Sequence, residues 1–331
     1  MNLDSLIEDL KNHYKLTYFE YQVQELKDLP LSVRLDAYLG DLRVSSWGSA
    51  FNLDLAFTKA LMELVERLTL IQKNSNKFYK KSFFREVSVD LDQIADMSSC
   101  SVEYFIPKNS NGVAVHTSRK NAQMSAYFEL VERHVVLSCL VFNITPKQVY
   151  PKFVQPSLPD NYKMEFFYWR FQDCHVVVSI LILPNGGYYF GFGCRRKLIE
   201  ACRKAFDELT PLIAYSFHDT EDIKQGHQII KDDIYSFGRY WRFSGDQRAY
   251  AFLNGFISEE KWNEIPALID ILFADVPFPD TIKSSASELS CIRCVSPQAQ
   301  QLFFDDWDFK YINPLYRKNL VKLPKFPHFI A

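Results

Sequence analysis

The sequence lacks three features that would assign a function directly. Its 331 residues carry 38 basic and 40 acidic side chains, so there is no charge excess to attract a nucleic acid or an anionic membrane. The most apolar run, VVVSILIL at residues 176–183, is too short to span a bilayer, and no secretory signal opens the chain. Glycine-rich nucleotide motifs are also missing, because no GxxxxGK[ST] occurs and Gly191-Phe192-Gly193 is not completed to GxGxxG.

Cysteine is present in an odd number and gives no sign of a disulfide framework. The seven cysteines lie mostly within apolar runs, which is typical of reduced thiols in a reducing compartment. Cys291 and Cys294 form a lone CxxC in the strand-like stretch SCIRCV, where they would point to opposite faces. We therefore predict a cytoplasmic protein without nucleic-acid or membrane partners.

Three segments follow the order strand, small-residue turn, helix, and this order predicts an α/β fold of mixed sheets with packed helices. The predicted helices cover about residues 54–71, 119–142 and 195–209, the last one stopped by Pro211. Residues 1–27 are also predicted to form a helix, because Leu3, Leu6, Ile7 and Leu10 recur at about one helical turn. The stretch PNGG at 184–187 predicts a hairpin turn. No flexible linker divides the chain, so we expect an extension at 1–40 and one integrated domain at 41–331.

The pentapeptide ELVER occurs twice, at residues 63–67 and 129–133. Helical spacing places Glu63, Glu66 and Arg67 on one face. The same spacing groups Glu129, Glu132 and Arg133. Both segments are otherwise apolar, and buried carboxylates are costly unless they pair with cations or bind metal.

Three interpretations of the repeated motif remain open. Each arginine could neutralise the glutamates of its own helix as an ion pair. The carboxylates could instead hold Mg²⁺ while the arginines and helix N-termini bind phosphates. A di-iron or di-manganese carboxylate centre is a third alternative, but it normally requires Glu-x-x-His, and His134 stands only two residues after Glu132.

Longer segments around the two motifs resemble the paired signature of the YcaO family, an ATP-binding fold without a P-loop. The resembling segments are GSAFNLDLAFTKALMELVER and SNGVAVHTSRKNAQMSAYFELVER, followed by GFGCRRKLIEACRKAFDELTP and CIRCVSP. The resemblance spans roughly residues 40 to 300 in the family's order. It implies Mg²⁺ ligands and ATP contacts. The implied metal ligands are Glu63, Glu66, Glu129, Glu132 and Glu208, and the implied ATP-binding residues are Ser45, Ser46, Arg67, Ser125, Arg133 and Arg293.

The resemblance also implies a reaction, although it assigns no catalytic residue. Members of the family use ATP to activate a peptide-bond oxygen, which leads to an azoline (thiazole or oxazole precursor) or a thioamide in a ribosomally made peptide. We accordingly expect a peptide or protein substrate and a separate partner protein that binds its leader; a homodimer is compatible with this expectation.

The chain departs from the family pattern at three positions in these helices. Lys59 stands in place of a serine, His134 in place of an aspartate, and Pro211 in place of a glutamine. An accessory or degenerate subunit that acts through a partner is therefore the alternative to an active enzyme. Retention of all five glutamates favours the active enzyme.

Overall fold

A computed structural model describes most of the chain. The described residues are 2–25, 29–40, 42–70, 77–81, 86–90, 111–152, 158, 161–218, 248–254, 264–279, 282, 286–300 and 312–317. Within them, no helix is both long and apolar enough to cross a membrane. The chain divides into two compact units, the first formed by residues 1–25, 30–130 and 268–297, the second by 26–29, 131–267 and 298–331.

Unit 1 opens with five consecutive elements. They are α1 (Leu3–Tyr14), β1 (Tyr18–Gln24), β2 (Leu31–Leu39), β3 (Leu42–Ala50) and α2 (Leu53–Leu70). The strands form an antiparallel sheet in the order β1-β2-β3, and the turn before β3 places Gly40 at a φ of 60°. Side chains of α1 and α2, including Leu6, Leu10 and Leu64, are fully buried with Val33 and Leu35 of β2.

A second antiparallel sheet of unit 1 has five strands. They are β4 (Lys77–Lys81), β5 (Glu86–Asp90), β6 (Val113–His116), β11 (Leu272–Asp275) and β12 (Ser290–Val295), in the spatial order β5-β4-β11-β12-β6. The predicted strand SCIRCV is thus confirmed as β12, and both of its cysteines are buried thiols. Strand β12 of this sheet carries Arg293, one of the predicted ATP-binding residues.

Helix α3 (Arg119–Val141) contributes its residues up to 130 to unit 1 and the rest to unit 2. The remaining elements of unit 2 are β7 (Lys147–Val149), β8 (Lys163–Phe171), β9 (Cys174–Ile182), β10 (Tyr188–Arg195), α4 (Leu198–His218), α5 (Arg248–Leu253) and α6 (Pro314–Arg317). Strands β10-β9-β8-β7 form an antiparallel sheet, and α4 buries Ala205 and Leu209 against it. The predicted PNGG hairpin is confirmed, with Gly186 at a φ of 80°.

The α/β fold class is confirmed, but two predicted helix boundaries are wrong. The first helix ends at Tyr14, where Lys15 adopts a left-handed φ of 51°, and β1 follows. Helix α4 does not stop at Pro211 but continues to His218. Proline costs about 3 kcal/mol inside a helix, yet burial of Leu209 and Ile213 on either side keeps the chain helical. The partition into an extension at 1–40 and one domain stays a prediction.

Candidate functional site

In unit 1, side chains of the first ELVER motif form hydrogen bonds between α2 and β3. The carboxylate of Glu63 accepts a hydrogen bond from the backbone N–H of Trp47 at 2.8 Å. Arg67 pairs with Glu63 at 2.6 Å and donates to the carbonyl oxygen of Ser45 at 2.5 Å. The intrahelical ion pair therefore exists in this copy, and it is anchored to the neighbouring strand.

This contact depends on a glycine in β3. A Cβ at Gly48 would overlap the carbonyl oxygen of Ala56 and lie 2.5 Å from the amide nitrogen of Ala60. Only a residue without a side chain lets α2 approach β3 so closely. The side chain of Glu63 consequently reaches a strand amide.

Three elements of unit 1 bring the other charged residues together. Arg293 of β12 is only 1% exposed, and burial lowers the pKa of its guanidinium. The negative charges of Glu129 on α3 and Glu66 on α2 oppose this shift and favour the charged form of Arg293. The predicted residues Glu66, Glu129 and Arg293 are thus electrostatic neighbours.

In unit 2, the second ELVER motif places a carboxylate almost entirely out of water. Glu132 is 4% exposed, and burial, followed by the charge of Glu208, raises its pKa to about 7. The nearby charges of Arg133, Lys204 and Arg195 act in the opposite direction, with Arg133 at 3.6 Å from the carboxylate. Glu132 and Glu208 are therefore a coupled pair of carboxylates among three cations.

Glu208 is held in the same manner as Glu63. One carboxylate oxygen accepts the backbone N–H of Phe192 at 3.3 Å, and the other pairs with Lys204 at 2.7 Å. Burial alone would raise the pKa of Glu208, but the charges of Lys204 and Arg133 bring it below its usual value.

Each unit contains the same sequence spacing at a close contact between a helix and a strand. The spacing Gly-x7-Ala-x2-Lys-Ala-x2-Glu begins at Gly48 and again at Gly193. A Cβ at Gly193 would overlap the carbonyl oxygen of Ala201, as one at Gly48 would overlap that of Ala56. Sequence reasoning missed Lys204, although its position four residues before Glu208 in this repeated spacing was a usable signal.

The predicted serines have different surroundings. Ser45 donates to Asp36 at 2.5 Å, and Asp36 is fully buried between Arg34 at 2.9 Å and Arg43 at 2.8 Å. This Asp36 cluster was also missed by sequence reasoning. Ser125 lies half-buried on α3, four residues before Glu129.

Ser46 is fully buried, and its hydroxyl has no hydrogen-bond partner among the described residues. Lys59, which replaces a family serine, donates to the carbonyl oxygen of Ser49 at 2.7 Å.

The donor atoms fit Mg²⁺ by type. In the described part of the chain, no three His, Cys, Asp or Glu side chains lie close enough together to hold a metal ion by themselves. Mg²⁺ typically takes one or two carboxylates and completes its shell with water and substrate phosphates. The electrostatic neighbours Glu66 and Glu129, and the pair Glu132 and Glu208, supply that kind of oxygen set. The orphaned hydroxyl of Ser46 is a further polar atom that a ligand could satisfy.

Comparison with known proteins gives concordant results. The model of one protein family, described as YcaO cyclodehydratase, ATP- and Mg²⁺-binding, matches residues 86–275, more than half of the chain. No curated protein sequence matches.

Among solved structures, the chain is similar to the YcaO protein of Methanopyrus kandleri bound with AMPPCP and Mg²⁺. That match has 13% identity and a TM-score of 0.56, and covers 97% of this chain and 95% of the other. A heterocyclase in complex with substrate and cofactor matches at 11% identity and a TM-score of 0.59, over 96% of this chain and 56% of its own. The E. coli microcin synthetase McbBCD complex with pro-MccB17 bound matches at 12% identity and a TM-score of 0.55, over 84% and 87%.

Proposed function

Because the chain belongs to the YcaO cyclodehydratase family, which binds ATP and Mg²⁺, we propose that it forms azolines in a ribosomally made peptide. Membership makes it an ATP-dependent peptide-modifying enzyme. The observation that carries the assignment to particular residues is the pair of carboxylate–cation clusters on the ELVER helices, one in each unit.

We assign the metal and nucleotide contacts as follows. Mg²⁺, when bound, neutralises charge on the ATP phosphates. Glu66, Glu129 and Glu132 supply oxygen ligands, and Glu63 and Glu208 complete the set from their anchored positions. Cationic and hydroxyl groups hold the nucleotide itself; these are Arg67, Arg133, Arg293, Ser45, Ser46 and Ser125.

The proposed reaction needs little covalent chemistry from the protein. A Cys, Ser or Thr side chain of the substrate gives up its S–H or O–H proton to a base and adds to the preceding carbonyl carbon, and the resulting oxyanion attacks the γ-phosphorus, releasing ADP. Loss of the amide proton and of phosphate then leaves the C=N bond of the azoline. The buried Arg293, together with Arg133 and Arg67, would stabilise the charge that develops during phosphoryl transfer.

Removal of single carboxylates tests the residue assignment. We expect Glu66→Gln and Glu132→Gln to abolish Mg²⁺-dependent ATP binding while leaving the circular dichroism spectrum unchanged. Glu200→Gln is the matched control, because Glu200 pairs with Lys197 on the surface of α4. ATP binding by either site variant at the affinity of the unsubstituted protein would refute the metal assignment.

The reaction itself is tested with a leader-binding partner protein and its precursor peptide. Loss of one water per modified residue, dependent on ATP, is the expected mass change; exchange of oxygen for sulfur would instead identify thioamidation. ATP binding without any change in peptide mass would favour the accessory-subunit alternative. The separate partner, a homodimer and the cytoplasmic location stay predictions.

A further inference from the structure

A buried histidine, His134, directly follows the second ELVER motif in the sequence. His134 of α3 is fully buried, and both of its ring nitrogens have hydrogen-bond partners. Nε2 lies 2.8 Å from the carbonyl oxygen of Pro266. Nδ1 lies 2.9 Å from the backbone nitrogen of Gln300 and 3.2 Å from the hydroxyl of Ser138. One side chain therefore joins α3 to two segments that are remote in sequence.

These contacts fix the tautomer of the ring. The N–H of Gln300 can only donate, so Nδ1 must accept and the ring proton must sit on Nε2, from which it is donated to Pro266. A ring with one N–H and one acceptor nitrogen is uncharged, so both main-chain bonds require neutral His134. His134 therefore links α3 to the segments of Pro266 and Gln300 by hydrogen bonds.

The cross-link continues into the C-terminal part of unit 2 through buried amides. The side-chain oxygen of Gln300 accepts the N–H of Asn313 at 2.9 Å, and the Asn313 side chain donates to the carbonyl oxygen of Ala299 at 2.9 Å. The ring of Tyr316, which follows shortly after, packs on His134 with centroids 6.5 Å apart. Residues 299–300 and 312–316 are thereby attached to the same point on α3.

Helix geometry places this attachment opposite the proposed ligand. Successive residues of an α-helix are rotated by about 100°, so Glu132 and His134 lie about 200° apart around α3. Their surroundings agree with this, since Glu132 interacts with Glu208 and Lys204, whereas His134 contacts Pro266 and Gln300. Because both side chains belong to one helix, the hydrogen bonds of His134 oppose a rotation of α3 that would move Glu132.

We propose that His134 is a positioning residue that sets the rotation of α3 and so aims Glu132 and Arg133 at the metal-nucleotide. The claim rests on the proposed function and concerns a residue that differs from the aspartate of the family pattern. Its bonds to the two remote segments go to main-chain atoms of Pro266 and Gln300, and none of its contacts among the described residues is with a proposed ligand, so His134 acts without touching the reacting groups.

Three variants separate positioning from general stability. His134→Ala removes both main-chain bonds, whereas the Oδ1 of His134→Asn occupies the place of Nδ1 and keeps the acceptor for Gln300. His175→Ala is the matched control, because His175 also bonds a main-chain oxygen, that of Arg196 at 2.9 Å, but lies on β9. Each is assayed by Mg²⁺ titration of ATP binding and, without nucleotide, by amide hydrogen exchange.

The expected results differ among the variants. His134→Ala should raise the Mg²⁺ concentration for half-maximal ATP binding about tenfold, and His134→Asn about threefold, because each lost hydrogen bond is worth roughly a factor of three to ten. Amides of residues 130–137 should exchange faster in His134→Ala without any ligand. His175→Ala should match the unsubstituted protein in both measurements.

Each remaining outcome decides against the proposal. A His134→Ala protein that loses thermal stability but keeps its Mg²⁺ requirement would show a structural role only. If His134→Ala does not fold, His134→Asn is compared with the unsubstituted protein instead. An Mg²⁺ requirement of His134→Asn equal to that of the unsubstituted protein then overturns the claim. If the unsubstituted protein binds no ATP, the proposed function fails separately, and unchanged exchange in 130–137 overturns the positioning role.

Discussion

The five predicted glutamates have distinct environments. Glu63 and Glu208 each use one oxygen on a strand amide and the other on a cation of the same helix. Glu66 and Glu129 act on the buried Arg293, and Glu132 is the most deeply buried of the five. Sequence spacing could place these carboxylates on helix faces, but it could not show which partner each face meets. The ion-pair interpretation is thus confirmed for Glu63 and Arg67, and the metal interpretation stays a prediction.

The raised pKa of Glu132 predicts a pH-dependent stability in metal-free buffer. The folded protein favours the protonated form, so its stability falls as pH rises from the unfolded-state value near 4.5 through about 7. Above that window the ionised Glu132 costs roughly 3 kcal/mol, and Glu132→Gln should recover it. We expect the variant to be more stable than the parent at pH 8 and equally stable near pH 4.5, measured by denaturant unfolding with a chelator present.

The control for this comparison is again Glu200→Gln, whose carboxylate lies on the surface. Its unfolding free energy should follow that of the parent at every pH. A constant difference between Glu132→Gln and the parent from pH 4.5 to 8 would contradict the raised pKa.

At the scale of elements, local signals predicted some boundaries well and tertiary burial decided others. The helices predicted at 54–71 and 119–142 are observed as Leu53–Leu70 and Arg119–Val141. Their apolar periodicity and flanking turns are local properties, so sequence sufficed. The continuation of α4 past Pro211 depends on its apolar side chains meeting a sheet, which no local pattern reveals. The recurrent Gly-to-Glu spacing was present in the sequence but gained meaning only from the close helix–strand contacts.

The close contact at Gly48 predicts a large effect from one methyl group. Gly48→Ala forces a Cβ into the backbone of α2, and overpacking of this kind typically costs about 1–3 kcal/mol. We expect a lower melting temperature, measured by calorimetry, and weaker ATP binding because Glu63 moves away from Trp47.

Gly40→Asn serves as the comparison, since Gly40 has open space around its Cβ position and asparagine tolerates its positive φ. That variant should melt within a few degrees of the parent. Equal melting temperatures for Gly48→Ala and the parent would show that α2 and β3 are not in contact at this point.

Helix α4 offers a stabilising substitution. Pro211→Ala restores a backbone donor in the middle of the helix and removes the ring clash, so the unfolding free energy should rise by about 1–3 kcal/mol. Denaturant unfolding measures the change. A destabilised variant would mean that the proline ring contributes more to its buried surroundings than it costs the helix.

At the scale of the whole molecule, the glutamates of the two ELVER motifs are distributed over two compact units. In unit 1 two of them neighbour Arg293, and in unit 2 Glu132 neighbours Glu208. The first motif lies in unit 1, while α3 gives Glu129 to unit 1 and Glu132 to unit 2. The family that the sequence motifs resemble is confirmed by the family model over residues 86–275, although overall identity to the solved structures is only 11–13%. The resemblance predicts the class of substrate and partner, whereas the particular peptide depends on surfaces outside these motifs.

The central proposal is that the carboxylates of the ELVER helices bind Mg²⁺ together with ATP, and calorimetric titration of the purified protein with ATP tests it most directly. With Mg²⁺ present we predict saturable binding in the micromolar range, and with the metal chelated we predict its loss. Equal binding with and without Mg²⁺ would contradict the role of the carboxylates. No binding in either case, together with iron or manganese found by metal analysis, would contradict the account as a whole and favour a di-metal carboxylate protein.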